Sequence, residues 1–380
     1  MSERPILSKF FESRTLPKGR PPMIKCFEPS LEQRDIDKVL QTLQTKILAF
    51  GSNVGDFERR YSEFSNKKYN IGFNSASSAA FLLYQYLYEE HGPCRVYTPS
   101  LGFVSPIYAA AKNGHEVIYV DVDKNLLISG DSLEKKFIHD GKKSIVMPIL
   151  YGGVSELPGI DNFCKNNKCL LVLDSAHCIS PNVEHDYAFY SFHPVKPICM
   201  SNGGLLSTDH KKSAEYMFSG RNFGRRKIND TYDIVQSGFN FYMNNLNAAL
   251  GLGQLHSCLR NIEKRRVNFE ILKKNIPEDL GYFTHHDHGS SYYLSTLVLK
   301  SGHSSAIMRE TLRENGVQAS VHYPFLHKTS FYGCTTSIPR LDSLEDKIIN
   351  LPIHQELCPA DLERIIDECV RYSRSRRQPQ

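Results

Sequence analysis

Apolar and polar positions change period repeatedly along the chain, and the changes mark out alternating helices and strands. Helices are predicted over 35–43 and 56–65, the second with Phe57 and Tyr61 four apart on one face. Strands follow over 70–73, 95–98, 116–121, 144–151 (broken by Pro148) and 169–174, separated by helices over 79–90, 106–112, 131–138 and 160–166. The 169–174 run, Cys-Leu-Leu-Val-Leu-Asp, is nearly all apolar. Such runs suit a parallel sheet buried on both faces, with crossover helices as the cover. Strand-like pieces at 187–192, at 204–208 and near Ile234 come without long helices between them. A long helix over about 245–270 carries Leu246, Ala249, Leu250 and Gly253 along one side. Strand 292–299, helix 305–315, strand 318–322 and terminal helix 359–372 complete the pattern, with Pro359 in a first turn and Asp361 and Glu363 near its positive end. The reading is α/β: an N-terminal arm and large domain over 1–260, a smaller α+β domain over 261–372, and a basic tail over 373–380 expected to be disordered.

Composition narrows the classes. At 380 residues and 41% apolar content the chain can bury a sizeable core. The formal charge of +5 is dispersed except for Arg374, Arg376 and Arg377, which leaves no nucleic-acid footprint. Ten cysteines form no Cys-x-x-Cys pair and several sit in apolar runs, the pattern of buried free thiols in a reducing compartment. No secretory leader or membrane span is seen, so the cytoplasm is expected. His285, His286 and His288 lie in a polar turn without a cysteine or spaced carboxylate beside them, which reads as an exposed loop, not a metal site. Neither a Walker loop nor a dinucleotide fingerprint is present.

Candidate chemistry lies at strand ends. Asp174 closes the most apolar strand, where crevices open in α/β sheets, although helix capping would also explain it. Lys196 stands alone at the end of Ser191-Phe-His-Pro-Val-Lys196, ahead of Gly203-Gly204. Asn74-Ser-Ala-Ser-Ser78 places hydroxyls at a helix start, which suits a phosphate dianion or a plain helix cap. Phe103 follows a strand in Pro99-Ser-Leu-Gly-Phe103.

The order of these features, from Gly51-Ser-Asn-Val-Gly-Asp-Phe-Glu58 to Leu351-Pro-Ile-His354, resembles the DegT–StrS family of sugar aminotransferases. That resemblance implies the fold-type I architecture with a mostly parallel seven-stranded sheet, pyridoxal 5′-phosphate as cofactor, and a homodimer with composite active sites. It implies transfer of an amino group from an amino acid, expected to be L-glutamate, to a keto-sugar. The acceptor would be a nucleotide-linked 3-keto- or 4-keto-6-deoxyhexose, in amino-sugar biosynthesis.

In such enzymes a lysine at the position of Lys196 holds the cofactor covalently and then moves a proton. Asp174 matches the partner of the ring nitrogen, a charge pair of about 4 kcal/mol at an effective dielectric near 20, before desolvation. His177 falls near the phenolic oxygen or ring, and Phe103 on the stacking aromatic. Ala76, Ser77 and Ser191 match the phosphate cup. Asn240, in Gly238-Phe-Asn-Phe-Tyr-Met243, matches an asparagine that crosses to the partner's phosphate. Val321-His-Tyr-Pro-Phe-Leu-His327 matches a substrate-lining loop, which makes His322, Tyr323 and His327 substrate-binding candidates. Ala76 replaces a usual glycine and Tyr242 a usual arginine. Two other readings compete. Related proteins perform sugar dehydration with histidine at the lysine position, but His193 is three residues out of register. A non-catalytic protein retaining the fold is disfavoured by Lys196, Asp174, His177 and Phe103 together.

Overall fold

The computed structural model describes residues 22–331, 333 and 336–375. The expected arm before Pro22, Cys334, and the tail residues 376–380 with Arg376 and Arg377 lie outside the described residues. Helices α1 (Gln33–Thr45) and α2 (Ser52–Ser65) precede a seven-stranded sheet. Its strands are β1 (Tyr69–Phe73), β2 (Arg95–Pro99), β3 (Glu116–Val120), β4 (Ser144–Val146), β5 (Leu170–Asp174), β6 (Tyr187–Ser191) and β7 (Gly204–Thr208). They run in the order β1-β7-β6-β5-β4-β2-β3, all parallel except β7, which is antiparallel to both its neighbours. The predicted α/β class and mostly parallel sheet are what the chain forms.

Helices α3 (Ala76–His91), α4 (Val104–Lys112), α5 (Gly130–Lys136), α6 (Ile160–Asn166) and α7 (Lys211–Gly220) accompany the sheet. Ser75 and Ser129 cap α3 and α5 by accepting from the N–H three residues on, bonds worth roughly 1 kcal/mol each. In β5, Val172 and Leu173 are fully buried, as the apolar run required. The strand predicted over 144–151 stops at Val146, because Pro148 has no N–H to donate. Contact with β5 continues past it through Asp174 N–H to the Pro148 carbonyl (3.0 Å) and Leu150 N–H to the Asp174 carbonyl (3.0 Å). The piece near Ile234 is not an edge of the main sheet. It pairs with a neighbour in a separate hairpin, β8 (Arg225–Ile228) and β9 (Thr231–Ile234), every residue of which is exposed.

Helix α8 (Asn245–Asn275) is 31 residues long and joins two apolar cores. Its first half packs on α1 and α2, and Leu272 near its end enters a second cluster with Leu297, Met308, Leu312, Ile349 and Ile365. This second core lies under an antiparallel sheet of β10 (Gly281–Phe283), β11 (Ser295–Leu299) and β12 (Ile348–Leu351), with α9 (Ser305–Glu314) and α11 (Pro359–Ser375). A short α10 (Pro339–Ser343) lies between. The predicted strand over 318–322 does not form; Ser320 makes an isolated bridge to Asn350 of β12 instead. Residues 373–375 continue α11 and do not belong to a tail. The nine described cysteines are free, and seven of them are buried. No helix among the described residues is long and apolar enough to cross a membrane.

Candidate active site

One edge of the large sheet gathers the ends of β1, β5 and β6 with the starts of β7 and α3. Phe73 and Ser191 flank Gly204 in the ladder, and Asp174 pairs with Phe189. Gly204 is required there: a Cβ would stand 2.3 Å from the Ala76 nitrogen and 2.2 Å from the Ser75 carbonyl carbon. The start of β7 is thus pressed against the first turn of α3. A cavity of about 390 Å³ opens at this edge, lined by every expected site residue except Asn240 and His327.

Lys196 is 8% exposed and follows a turn closed by its N–H donating to the His193 carbonyl (2.8 Å). Its Nζ lies 4.0 Å from the centroid of the Tyr293 ring. Burial lowers its pKa to about 7, and the nearby Asp174 charge opposes that shift only in part. Asp174 accepts from the Ala176 N–H (3.0 Å). Burial raises its carboxyl to about 6, while that hydrogen bond and Lys196 pull it down. The floor of the cavity therefore holds an amine and a carboxyl both tuned toward neutral pH.

His177 shares a hydrogen bond between Nε2 and the Tyr323 hydroxyl (2.9 Å), and its ring lies 4.3 Å from that of Tyr293. Burial holds its basicity well below that of a free histidine, helped by Lys196 and His322, so the ring is neutral near pH 7. Its buried Nδ1 has no partner among the described residues, a cost of about 1–3 kcal/mol that a bound group can offset. Ser77 Oγ donates to Ser105 Oγ (2.8 Å) at the N-terminal turn of α3, where the helix dipole favours an anion. The Phe103 ring is half exposed, with its centroid 5.6 Å from that of Tyr323. Burial takes His322 down to about 4.

Asn240 lies outside this cavity, exposed on its own chain, with its carbonyl accepting from Asn74 Nδ2 (3.1 Å). His327 does not take the expected place against a substrate. Its ring is buried, Nδ1 bonds Ser100 Oγ, and Nε2 bonds Asp342 Oδ1 (3.0 Å), so neither nitrogen is left for a ligand. Sequence reasoning missed Tyr293, which forms the wall against Lys196. The Tyr292-Tyr293 doublet is the available signal, hidden because the apolar run over 292–299 predicts a strand that begins only at Ser295. Tyr293 is set instead by its N–H donating to the Gly152 carbonyl (2.9 Å). At the next residue, Gly153, a Cβ would come within 3.0 Å of the Tyr293 nitrogen and 2.9 Å of the His177 carbonyl oxygen. Among the described residues, no cluster of histidine, cysteine and carboxylate side chains is arranged to hold a metal ion.

A model of the DegT/DnrJ/EryC1/StrS aminotransferase family matches residues 29–370. The UDP-4-amino-4,6-dideoxy-N-acetyl-beta-L-altrosamine transaminase of Helicobacter pylori is 28% identical over 348 residues, covering 87% of this chain and 92% of that protein. The protein of the same name from Campylobacter jejuni is 26% identical over 376 residues, covering 91% and 96%. In shape the chain is similar to Helicobacter pylori PseC, an aminotransferase involved in the biosynthesis of pseudoaminic acid, with a TM-score of 0.87 at 24% identity over 93% of this chain and 100% of that one. With the family match extending over most of its length and the fold in agreement, the chain belongs to the DegT/DnrJ/EryC1/StrS aminotransferase family and is a pyridoxal 5′-phosphate-dependent transaminase.

Proposed function

We propose that the chain moves an amino group from L-glutamate to a nucleotide-linked keto-sugar, a 3-keto- or 4-keto-6-deoxyhexose, in the biosynthesis of an amino sugar. The observation that carries this reading is the buried Lys196 amine, lowered to about 7 and facing the same cavity as Asp174. The names of the two bacterial relatives, both UDP-linked amino-sugar transaminases, support the acceptor class. A lysine, Lys196, and not a histidine, stands at the position that holds the cofactor, which favours amino transfer over sugar dehydration.

The cavity fits the cofactor group by group. When bound, pyridoxal phosphate supplies an aldehyde carbon that takes up amino groups and a ring that withdraws electrons. Lys196 Nζ is the nucleophile that holds it covalently. With a substrate in the cavity, the same nitrogen would take and return a proton. Asp174 would pair with the ring nitrogen and favour its protonated form. Ala76, Ser77 and Ser191 receive the phosphate at the start of α3. Phe103 would stack on the ring, and the unpaired Nδ1 of His177 would be available to the cofactor's polar edge. His322 and Tyr323 face the substrate. Donor and acceptor use this one cavity in turn, as a ping-pong exchange requires.

The working unit in this reading is a homodimer in the cytoplasm. Helix α1 buries Asp35 and Thr42 against its own chain, while Ile36, Leu40 and Leu43 are 44–50% exposed. Asp35 meets Gln254 Nε2 on α8 at 2.6 Å. A helix with its polar side inward and its apolar side outward calls for a second copy as cover. Asn240, beside the exposed hairpin and outside its own cavity, then reaches the partner's phosphate. The buried free thiols support a reducing compartment. We place the domain division within α8, near residue 260, where the helix passes from one apolar core to the other.

The test offers purified protein L-glutamate and a panel of nucleotide-linked keto-sugars. The expected result is 2-oxoglutarate together with an aminated sugar, its position and stereochemistry read by NMR. A dehydrated sugar, or no amination of any member, overturns the assignment.

A further inference from the structure

Ser100, His327 and Asp342 form a hydrogen-bonded row beside the cavity but not in it. Ser100 directly follows β2 and is fully buried. Its Oγ bonds His327 Nδ1, and its carbonyl accepts from the Leu326 N–H (3.0 Å). His327 Nε2 then meets Asp342 Oδ1 (3.0 Å), and Asp342 Oδ2 accepts from the Ile338 N–H (3.0 Å) at the head of α10. That helix is itself tied down, because the N–H groups of Arg340 and Leu341 donate to Asp121 (2.8 and 3.2 Å), the residue after β3. Strands β2 and β3 are parallel neighbours, so the row closes a circuit between their ends through a segment remote in sequence.

Serine, histidine and aspartate are the residue types of a hydrolytic triad, but the roles do not fit. Ser100 is sealed from solvent and does not line the cavity, so no substrate carbonyl reaches its oxygen. The flanking residues indicate a different purpose. Phe103 lies three residues beyond Ser100, and Tyr323 four residues before His327. Both rings line the cavity 5.6 Å apart, and the Tyr323 hydroxyl also bonds His177.

We propose that Ser100, His327 and Asp342 are positioning residues: a clamp that fixes the gap between Phe103 and Tyr323, and with it the seat of the cofactor ring. This rests on the reading of Phe103 as the stacking aromatic. The Ser100–His327 bond, buried away from water, suits the task, since losing it leaves a buried ring nitrogen without its partner.

The test uses holoenzyme and measures cofactor affinity, the circular dichroism of the bound cofactor in the visible range, and Tm. Ser100→Ala removes a single oxygen and is the mildest probe. It is expected to weaken cofactor binding by about tenfold and to alter the dichroic band. His327→Phe does the same, and the double variant loses little more than the worse single one, because both break one link. Asp342→Asn, which keeps the shape and one acceptor, retains most of the signal that Asp342→Ala loses. Lower Tm with an unchanged band and affinity, or fully additive losses, overturns the clamp. Phe103→Leu separates the two levels of the argument. If it alters the band while the clamp variants do not, the clamp fails and the stacking role stands. If Phe103→Leu is itself silent, the stacking role fails and the clamp's purpose goes with it.

Discussion

The cavity wall at the strand ends carries the charged groups, Lys196 and Asp174, whereas the facing wall of Tyr293, His322 and Tyr323 is aromatic and without formal charge near neutral pH. Asp174 of the first wall is held in the β5–β6 ladder, and Lys196 by the turn just beyond β6. The second comes from connections leading into and out of the smaller sheet and is held by single contacts, such as Tyr293 N–H to the Gly152 carbonyl. The division of labour is physical. The reactive groups stand at or just beyond the strand ends, and the aromatic wall excludes water, which is what moves their protonation toward neutrality.

Substitutions at the two walls should therefore differ in scale. Lys196→Ala is expected to lower turnover by about four orders of magnitude or more, the upper range for a proton-transferring group. In wild type, borohydride should fix the cofactor's mass to the peptide containing Lys196, and labelling of another lysine would remove it from the role. Asp174→Asn should cost roughly two to four orders of magnitude in transamination with far less effect on folding, through loss of the ring-nitrogen charge partner. A rate within a few-fold of wild type would empty the strand-end wall of half its chemistry.

Mixing inactive Lys196→Ala and Asn240→Asp chains sharpens the comparison by adding a third contributor, the partner subunit. If the site is shared, mixed dimers hold one intact site, and full exchange restores about a quarter of wild-type activity. No recovery, with mixed dimers proven by mass spectrometry, rejects the crossing of Asn240. On the aromatic wall, Tyr323→Phe removes only the bond to His177 and should cost about tenfold. A loss as large as that of Asp174→Asn would break the distinction between the walls.

The smallest effect is one of pH. A folded-state pKa of about 7 for Lys196, below the ordinary lysine value, means the reactive neutral amine is gained as pH rises through 7. Covalent capture of pyridoxal phosphate by apoprotein should accelerate about fivefold from pH 6 to 7 and level off above pH 8. A rate still climbing toward pH 10 would show an unshifted amine and contradict the burial argument.

The same contrast explains what was legible in the sequence. Asp174 and Lys196 lie at the ends of apolar runs, where a local pattern fixes both the strand and the edge of the sheet. The resemblance then supplied their roles. Tyr293 could not be found this way, because its place depends on a carbonyl about 140 residues earlier in the chain. The resemblance places His327 with the substrate because Val321-His-Tyr-Pro-Phe-Leu-His327 matches a substrate-lining loop. Its actual direction is decided by Ser100 and Asp342, which no periodicity connects to it. The predicted 318–322 strand failed for a similar reason: β12 occupies the ladder position beside β11, leaving Ser320 a single bridge.

The placing of β7 between β1 and β6 has a consequence in time. At the ribosome, β1 emerges about 135 residues before the strand it must pair with. At about 5–20 residues per second, that is a wait of roughly 7–27 seconds. Until then Ile71 and Phe73, fully buried in the finished protein, have no β7 beside them, and the Ser75–Ser77 turn has no Gly204 behind it. Over that interval an apolar strand waits without its neighbour, the condition under which a nascent chain is prone to aggregate.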